Sequence, residues 1–387
     1  MAYDTEICSP GGRVRLRGFE RLITLVDSVS MKIVHSMLVT GDVNTLLQFL
    51  PTALMRAFNT HPRVFGQSSP GVPIASFLLR YVAIQEAAVE AVMKGVISLL
   101  GKTIYRSEMK KFQPVLPARA DQHDFVVPPV SNPTSASFAE GDPRSMTTAL
   151  MKCKEENVTF GGAVVCATLL AFYHAAKGLP DFDPTQPFKL VTDLDYNMRR
   201  RVPHPVEEDP VGAYVAFADL GTLASEGVNL KTKFWDLARR VKSEIDSKVR
   251  QTMLLAAVPI ILDQRINAKI QPSFAKALNI RNSQTSDANL SNVGRYPFAK
   301  EHWLSPNDGK ANLLKVKTLH VYNNIPHLGP SAVLWVSSVD SFCYSMGHKC
   351  EDDSAKALFA AFVAVCENIG NVAAEDTMAD VLEQLNL

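Results

Sequence analysis

From residue 144 to the end, this chain alternates two hydrophobic periods, and that alternation is what most restricts its fold. Helical spacing marks 144–156, 160–177, 230–250 and 352–369, the last burying Ala355, Leu358, Phe359 and Phe362. Between them, β-branched and aromatic runs mark strands at 187–197 (PFKLVTDLDYN), 211–219, 312–322, 331–339 and 341–348. Each such element has an apolar side that must be covered, and helices layered on a sheet cover both kinds. The pattern therefore predicts an α+β fold, a layered α/β sandwich. With 387 residues, 47% apolar and 20% charged, the chain has enough core for two lobes.

The N-terminal part reads differently. Residues 31–39 (MKIVHSMLV) form a predicted strand, and Asp42 can cap a helix over 43–60 with Leu46, Leu47, Leu50, Leu54 and Phe58 on one face. Pro51 is placed to kink it, and His61-Pro62 ends it. A second helix is predicted over 76–106. Its polar positions Glu86, Glu90, Lys94, Ser98 and Lys102 recur every four residues, which leaves a wide apolar face. The charges argue against a membrane span. Core packing is the first use for that face, and a membrane surface is the second. Residues 112–143 carry six prolines (Pro114, Pro117, Pro128, Pro129, Pro133, Pro143) and read as an irregular connector between lobes. The chain thus divides into 1–111, the connector 112–143, and 144–387.

A net charge of +1 supplies no basic field for a phosphate backbone, so nucleic acid is excluded as a partner. The six cysteines have no framework spacing, and Cys153, Cys166 and Cys366 fall in helical segments as small hydrophobes. The first residues have neither a basic lead nor an apolar run, which points to reduced thiols in the cytoplasm. GVISLLGKT at 95–103 nearly matches a phosphate-binding loop. It has one residue too many between its glycines, and it ends a helix instead of joining strand to helix. Cys343, His348 and Cys350 match no zinc spacing, so no metal ligands are assigned, and no Gly-x-Ser-x-Gly elbow is present.

Two polar stretches are candidates for a cleft. Arg199, Arg200 and Arg201 follow the strand 187–197, where an arginine can reach a phosphate or orient a carboxylate. They can equally pair with Glu207, Glu208 and Asp209. Ser291-Asn292-Val293-Gly294 allows a tight turn, and its Asn amide can donate to a developing oxyanion or fix a neighbouring strand.

Taken in order, RLRGFERLI, the strand 31–39, VTGDVNTLLQFLPTALMRAFNTHPRV, Val158-Thr159-Phe160-Gly161-Gly162, TDLDYNMRRRV, Val211-Gly212, SNVG and the final strand pair with its helix resemble the condensation-domain and alcohol acetyltransferase superfamily. That family's fold is similar to chloramphenicol acetyltransferase: two lobes, each a sheet backed by helices, with a tunnel between them. The resemblance implies acyl-CoA as co-substrate with no bound cofactor, and a small alcohol or amine as acceptor. It also implies Thr159, Arg199, Asn292 and Gly294 as substrate-binding positions lining the cleft.

The chain departs from the family at its catalytic motif, His-His-x-x-x-Asp-Gly, whose second histidine takes the acceptor's proton. None of its nine histidines is adjacent to another, and none is followed four residues later by Asp-Gly. Gly66 runs through SSPGVP straight into the predicted helix at 76, where the family carries several strands and the motif. A real deletion or a lost exon accounts equally for this. No catalytic residue is assigned, and the N-terminal lobe reads as incomplete. His35, in mid-strand, and His123, in the connector, are the substitutes weighed, and nothing in the sequence brings either to the cleft. The chain then reads as an acyltransferase-type protein that is inactive or impaired, or as a non-catalytic binder of lipid, CoA or a protein partner. A lone strand cannot form a stable sheet, so 31–39 is expected to pair with the second lobe or to lack order.

Overall fold

The computed structural model describes residues 6–9, 12–15, 33–60, 112–126, 130, 132–197, 215–250, 279–304, 312–325 and 328–387. In chain order its strands are β1 (Glu6–Ser9), β2 (Gly12–Arg15), β3 (Ile33–Thr40), β4 (Ser135–Glu140), β5 (Thr192–Asn197), β6 (Val215–Asp219), β7 (Gln284–Arg295), β8 (Glu301–Leu304), β9 (Asn312–Asn323), β10 (Gly329–Ser338) and β11 (Phe342–His348). The helices are α1 (Val43–Thr60), α2 (Pro143–Glu155), α3 (Phe160–Ala176), α4 (Phe234–Arg250), α5 (Asp352–Asn368) and α6 (Met378–Gln384). They build a mixed α/β fold around a six-stranded sheet of order β4-β11-β10-β7-β5-β6. Within it β7 runs parallel to β10 and to β5, and the other pairs are antiparallel.

Helices cover one face of that sheet. α3 is apolar all round, and every residue from Gly162 to Phe172 is buried, because it lies between the sheet and its neighbours α4 and α5. Its close approach to α4 depends on Gly162, where an added Cβ would stand 2.9 Å from the carbonyl of Ala238. Asp142 caps α2 by accepting from the backbone N–H groups of Arg144 and Ser145, with Pro143 opening the helix. Trp235 is fully buried and donates its indole N–H to the carbonyl of Val372 at 3.1 Å.

The second sheet has three strands, β3-β9-β8. Here β3 pairs antiparallel with β9 from Ile33↔Asn323 to Thr40↔Lys315, so the N-terminal strand pairs with a strand from the C-terminal part of the chain. β9 also lies over the helix-free face of the large sheet. Ser337 Oγ donates to the carbonyl of Leu319, and Trp335 Nε1 donates to Asn323 Oδ1 at 3.0 Å. One strand therefore serves both sheets. α1 begins where expected: Asp42 accepts from Asn44 N at 3.0 Å and from Thr45 Oγ1 at 2.8 Å, and Asn312 Nδ2 ties Thr45 to the start of β9 at 2.7 Å.

Several boundaries move. The strand expected from 187 begins at Thr192, with Phe188 making only an isolated bridge to Val228, and α4 begins at Phe234, not at 230. Residues 135–140, inside the segment read as irregular connector, form β4, an edge of the large sheet. Its alternation (SASFAE) is carried by small side chains that give little hydrophobic signal. β7 is the larger surprise. The polar run QTSDANL is central in the sheet, held between β10 and β5. The predicted helix 76–106, the loop-like 95–103 and Arg199–Arg201 lie outside the described residues. Among the described residues no single helix is long and apolar enough to cross a membrane.

Candidate functional site

Two segments far apart in sequence meet at the N-terminus of α3. Thr159 is the N-cap residue, with extended backbone, as its position in the sequence suggested, but its hydroxyl makes no capping bond to the helix. From a Cβ built on Gly161, Thr159 Oγ1 lies 3.7 Å away and Asn292 Nδ2 lies 3.9 Å away. The hydroxyl of Thr159 and the amide of Asn292 thus face the same small space, which the missing side chain of Gly161 keeps open. Thr159 and Asn292 are both exposed to solvent.

The end of β7 is shaped to present Asn292. The pairing with β10 slips between Asn292↔Val336 and Gly294↔Ser337, so Val293 is an extra, bulged residue. Asn292 Oδ1 accepts from Gly294 N at 3.1 Å, and Gly294 takes φ +82°, a conformation that glycine adopts without strain. The tight turn read from SNVG is therefore present. With its oxygen committed to the turn, the amide leaves Nδ2 as a donor aimed toward α3. The helix end itself is anchored by Phe160, stacked on Phe342 with ring centroids 4.3 Å apart and an interplanar angle of 10°. Helix N-termini carry partial positive charge and N–H groups that favour a developing negative oxygen. Thr159, Asn292 and Gly294 are brought together as a group; Arg199 lies outside the described residues.

None of the six described histidines joins them. His174 sits in the last turn of α3, about 22 Å along the helix axis from Thr159. His123 is exposed beside the start of β7, where its backbone carbonyl accepts from Ser283 Oγ at 2.7 Å. Asn292 is nine residues further along that strand, about 30 Å away. His348 is buried, its Nδ1 3.2 Å from the carbonyl of Cys350, and desolvation lowers its pKa. His320 belongs to β9, on the face opposite α3. Its Nδ1 lies 3.2 Å from the carbonyl of Tyr344 and 3.3 Å from Ser345 Oγ, and its ring meets Phe138 edge-on. His35 and His302 are exposed on the small sheet.

The same structure separates the residues that the metal reading grouped. Cys350 Sγ turns to the carbonyl of Ser331 at 3.5 Å and Cys343 Sγ to that of Ser341 at 4.0 Å. Among the described residues no group of three or more His, Cys, Asp or Glu side chains is placed to hold a metal ion.

Sequence reasoning missed two buried ionisable groups. Asp287 accepts from Val115 N at 2.7 Å and Val191 N at 2.9 Å, so one carboxyl group fastens the connector and the approach to β5 onto β7. Burial pushes its pKa up to about 7 in spite of those bonds. Lys349 is fully buried after β11, and desolvation brings its ammonium down to about 7. Neither shows in a hydropathy pattern, where an Asp and a Lys count as surface residues. Asp195, half-buried on β5, has its pKa raised by desolvation, against a hydrogen bond from Asn289 Nδ2 at 3.0 Å.

No family model and no curated protein matches this sequence. Solved structures are similar to it over part of its length. The trichothecene 15-O-acetyltransferase TRI3 from Fusarium sporotrichioides is similar with a TM-score of 0.49 at 11% identity, over 70% of this chain and 52% of that one. The condensation domain of the Monacolin K polyketide synthase MokA gives 0.43 at 12% identity, over 79% and 68%. The epimerization domain from the third module of tyrocidine synthetase B gives 0.42 at 10% identity, over 71% and 56%. The chain spans about half the length of the acetyltransferase it is similar to.

Proposed function

We propose that the space between Thr159 and Asn292 is an acyltransferase-type cleft, one that in ancestry served transfer of an acyl group from CoA to an alcohol or amine. In the present chain it holds acyl-CoA without efficient transfer. One observation carries this reading: VTFGG and SNVG, the two motif segments singled out on family resemblance, converge on Gly161. Asn292 Nδ2 is a donor for a thioester carbonyl oxygen, and the uncapped N-terminus of α3 adds a favourable dipole as that oxygen gains charge.

Transfer also needs a base. The acceptor's O–H or N–H must lose its proton as it attacks the thioester carbon, and the CoA thiolate must leave and be protonated. A positioned imidazole contributes about 10²–10⁴-fold to such a step. The described histidines all lie away from this cleft, which favours holding the substrate over turning it over. The same fact keeps a second reading in play, a non-catalytic holder of CoA, lipid or a partner. The buried, unpaired cysteines 153, 166, 343, 350 and 366 fit a reducing compartment, and we place the protein in the cytoplasm.

The test uses the purified full chain with acyl-CoA and medium-chain alcohols, following thiol release and binding heat together. Binding with thiol release at the uncatalysed rate, and weaker binding by Asn292→Ala, is the expected result. Turnover well above background overturns the impaired reading, and no heat with CoA or acyl-CoA removes the cleft.

A further inference from the structure

β5 and β7 run parallel, and their backbone ladder is short: Thr192↔Ala288, Asp193↔Asn289 and Leu194↔Leu290. β7 runs on to Arg295, and Asn292 and the bulge at Val293 lie in that extension. β10 holds the extension on one side, through Ser291↔Trp335 and Asn292↔Val336. On the other side, among the described residues, no backbone pair reaches it from β5. A side chain does. Leu194 and Leu290 face the main core, so Asp195 and, on β7, Asn289 and Ser291 share the opposite face. Asp195 Oδ1 accepts from Asn289 Nδ2 at 3.0 Å. Desolvation raises the pKa of this carboxyl, while the Asn289 amide and the Ser291 hydroxyl beside it both favour the charged form.

Strands disfavour Asp, and a half-buried carboxyl carries a desolvation cost. Continued by one residue, the ladder sets the group that bears this cost beside Ser291, one position before Asn292. We infer that Asp195 is a positioning residue for Asn292. From the face opposite α3 it pins β7 through Asn289 and Ser291, just before the bulge, and so sets where the Asn292 amide stands against Gly161. A bulge re-aims the side chains beside it, and a strand paired on one edge only can twist there. A displacement of about 1 Å is enough to spoil the hydrogen bond of a binding donor. The effect on acyl-CoA rests on the reading of this space as its cleft; the effect on Asn292 does not.

The first test uses the ligand-free full chain. Gly294 N donates to Asn292 Oδ1 at 3.1 Å, so exchange of the Gly294 amide reports whether the Asn292 side chain holds its place. Asp195→Ala is expected to speed that exchange about tenfold, the loss of one charge-assisted hydrogen bond, and to leave the β11 amides unchanged. Asn289→Ala breaks the same contact from the β7 side, and it carries the test if dichroism and a melting curve show Asp195→Ala unfolded. The second readout is calorimetric affinity for acetyl-CoA. Asp195→Ala is expected to weaken binding about tenfold in the wild-type background, and by less than about twofold in Asn292→Ala, because both changes act through one group. Asp195→Asn keeps an oxygen for the Asn289 amide and is expected to stay close to wild type in both readouts. Unchanged exchange at Gly294 overturns the proposal. So does an equal loss of affinity in both backgrounds, the mark of a purely structural effect. If the wild type takes up no acetyl-CoA, the cleft reading falls, and exchange at Gly294 alone decides for or against Asp195.

Discussion

The two larger sheets among the described residues, of six and three strands, carry similar apolar strands and treat them differently. At β10 and β11 of the large sheet both faces are covered, by helices on one side and by β9 on the other. All seven residues of β11 are buried in consequence. In the small sheet β3 is exposed along almost its whole length. β9 records the change within one strand: it alternates between half-buried and buried over its first half, then is buried nearly throughout from Thr318 as it crosses the large sheet. An apolar run is a demand for a second layer, and among the described residues that demand is met only in the C-terminal part.

The sharpest way to break this contrast is to cut into the covered region. Phe172 on α3 is fully buried in the main core. Phe172→Ala should cost about 3–5 kcal/mol, the transfer term plus a cavity that helices packed on three sides cannot close. Urea denaturation measures it. A cost below about 1 kcal/mol would mean that the core is loose and the contrast between the sheets is false.

That core was legible in the sequence because its signals are local and apolar. α1 and α5 have their expected starts, and β10 and β11 fall within two residues of theirs, since each joins a strong period to a clear cap or turn. β7 was illegible because Gln284, Ser286, Asp287 and Asn289 are polar residues held in the middle of a sheet, and only tertiary partners make that position tolerable. Thr159, Asn292 and Gly294 were found through short motifs, not through physics visible along the chain. Their meeting depends on Gly161 and on a bulge at Val293, and neither the approach nor the bulge is encoded by periodicity. The neighbouring strands β8 and β9 differ in the same way: β9 announces itself, and EHWL is too short to do so.

Asp287 gives the next largest effect. Its folded pKa, about 7, lies above the ordinary 3.8, so the folded state holds a proton that the unfolded chain releases. Stability contributed at low pH is therefore lost as pH rises from about 4 to about 7, by a few kcal/mol in all. Lys349 has the reverse position, since its folded pKa of about 7 lies below 10.5. Its contribution is unfavourable at neutral pH and recovers as pH rises from about 7 toward 10. Val115 N and Val191 N bond to different carboxyl oxygens, so Asp287→Asn keeps an acceptor for only one of them and loses the titration. Denaturation at pH 5, 7 and 9 should show the wild type losing more stability than Asp287→Asn between 5 and 7, with no difference in slope between 7 and 9. Histidines contribute equally to both proteins and cancel in the comparison. Parallel profiles across the whole range would mean that Asp287 is ionised in the fold and its clamp is wetter than its burial indicates.

The smallest effect is expected where the uncovered region is touched. Leu54 lies on the exposed side of α1 and retains 45% of its accessible surface. Leu54→Ala removes little buried area, and Ala is at least as good a helix former as Leu, so the two changes nearly offset. The expected cost is within about 0.5 kcal/mol, measured by urea denaturation. A cost of about 2 kcal/mol or more would place α1 in a covered layer, and the contrast between the two sheets would vanish.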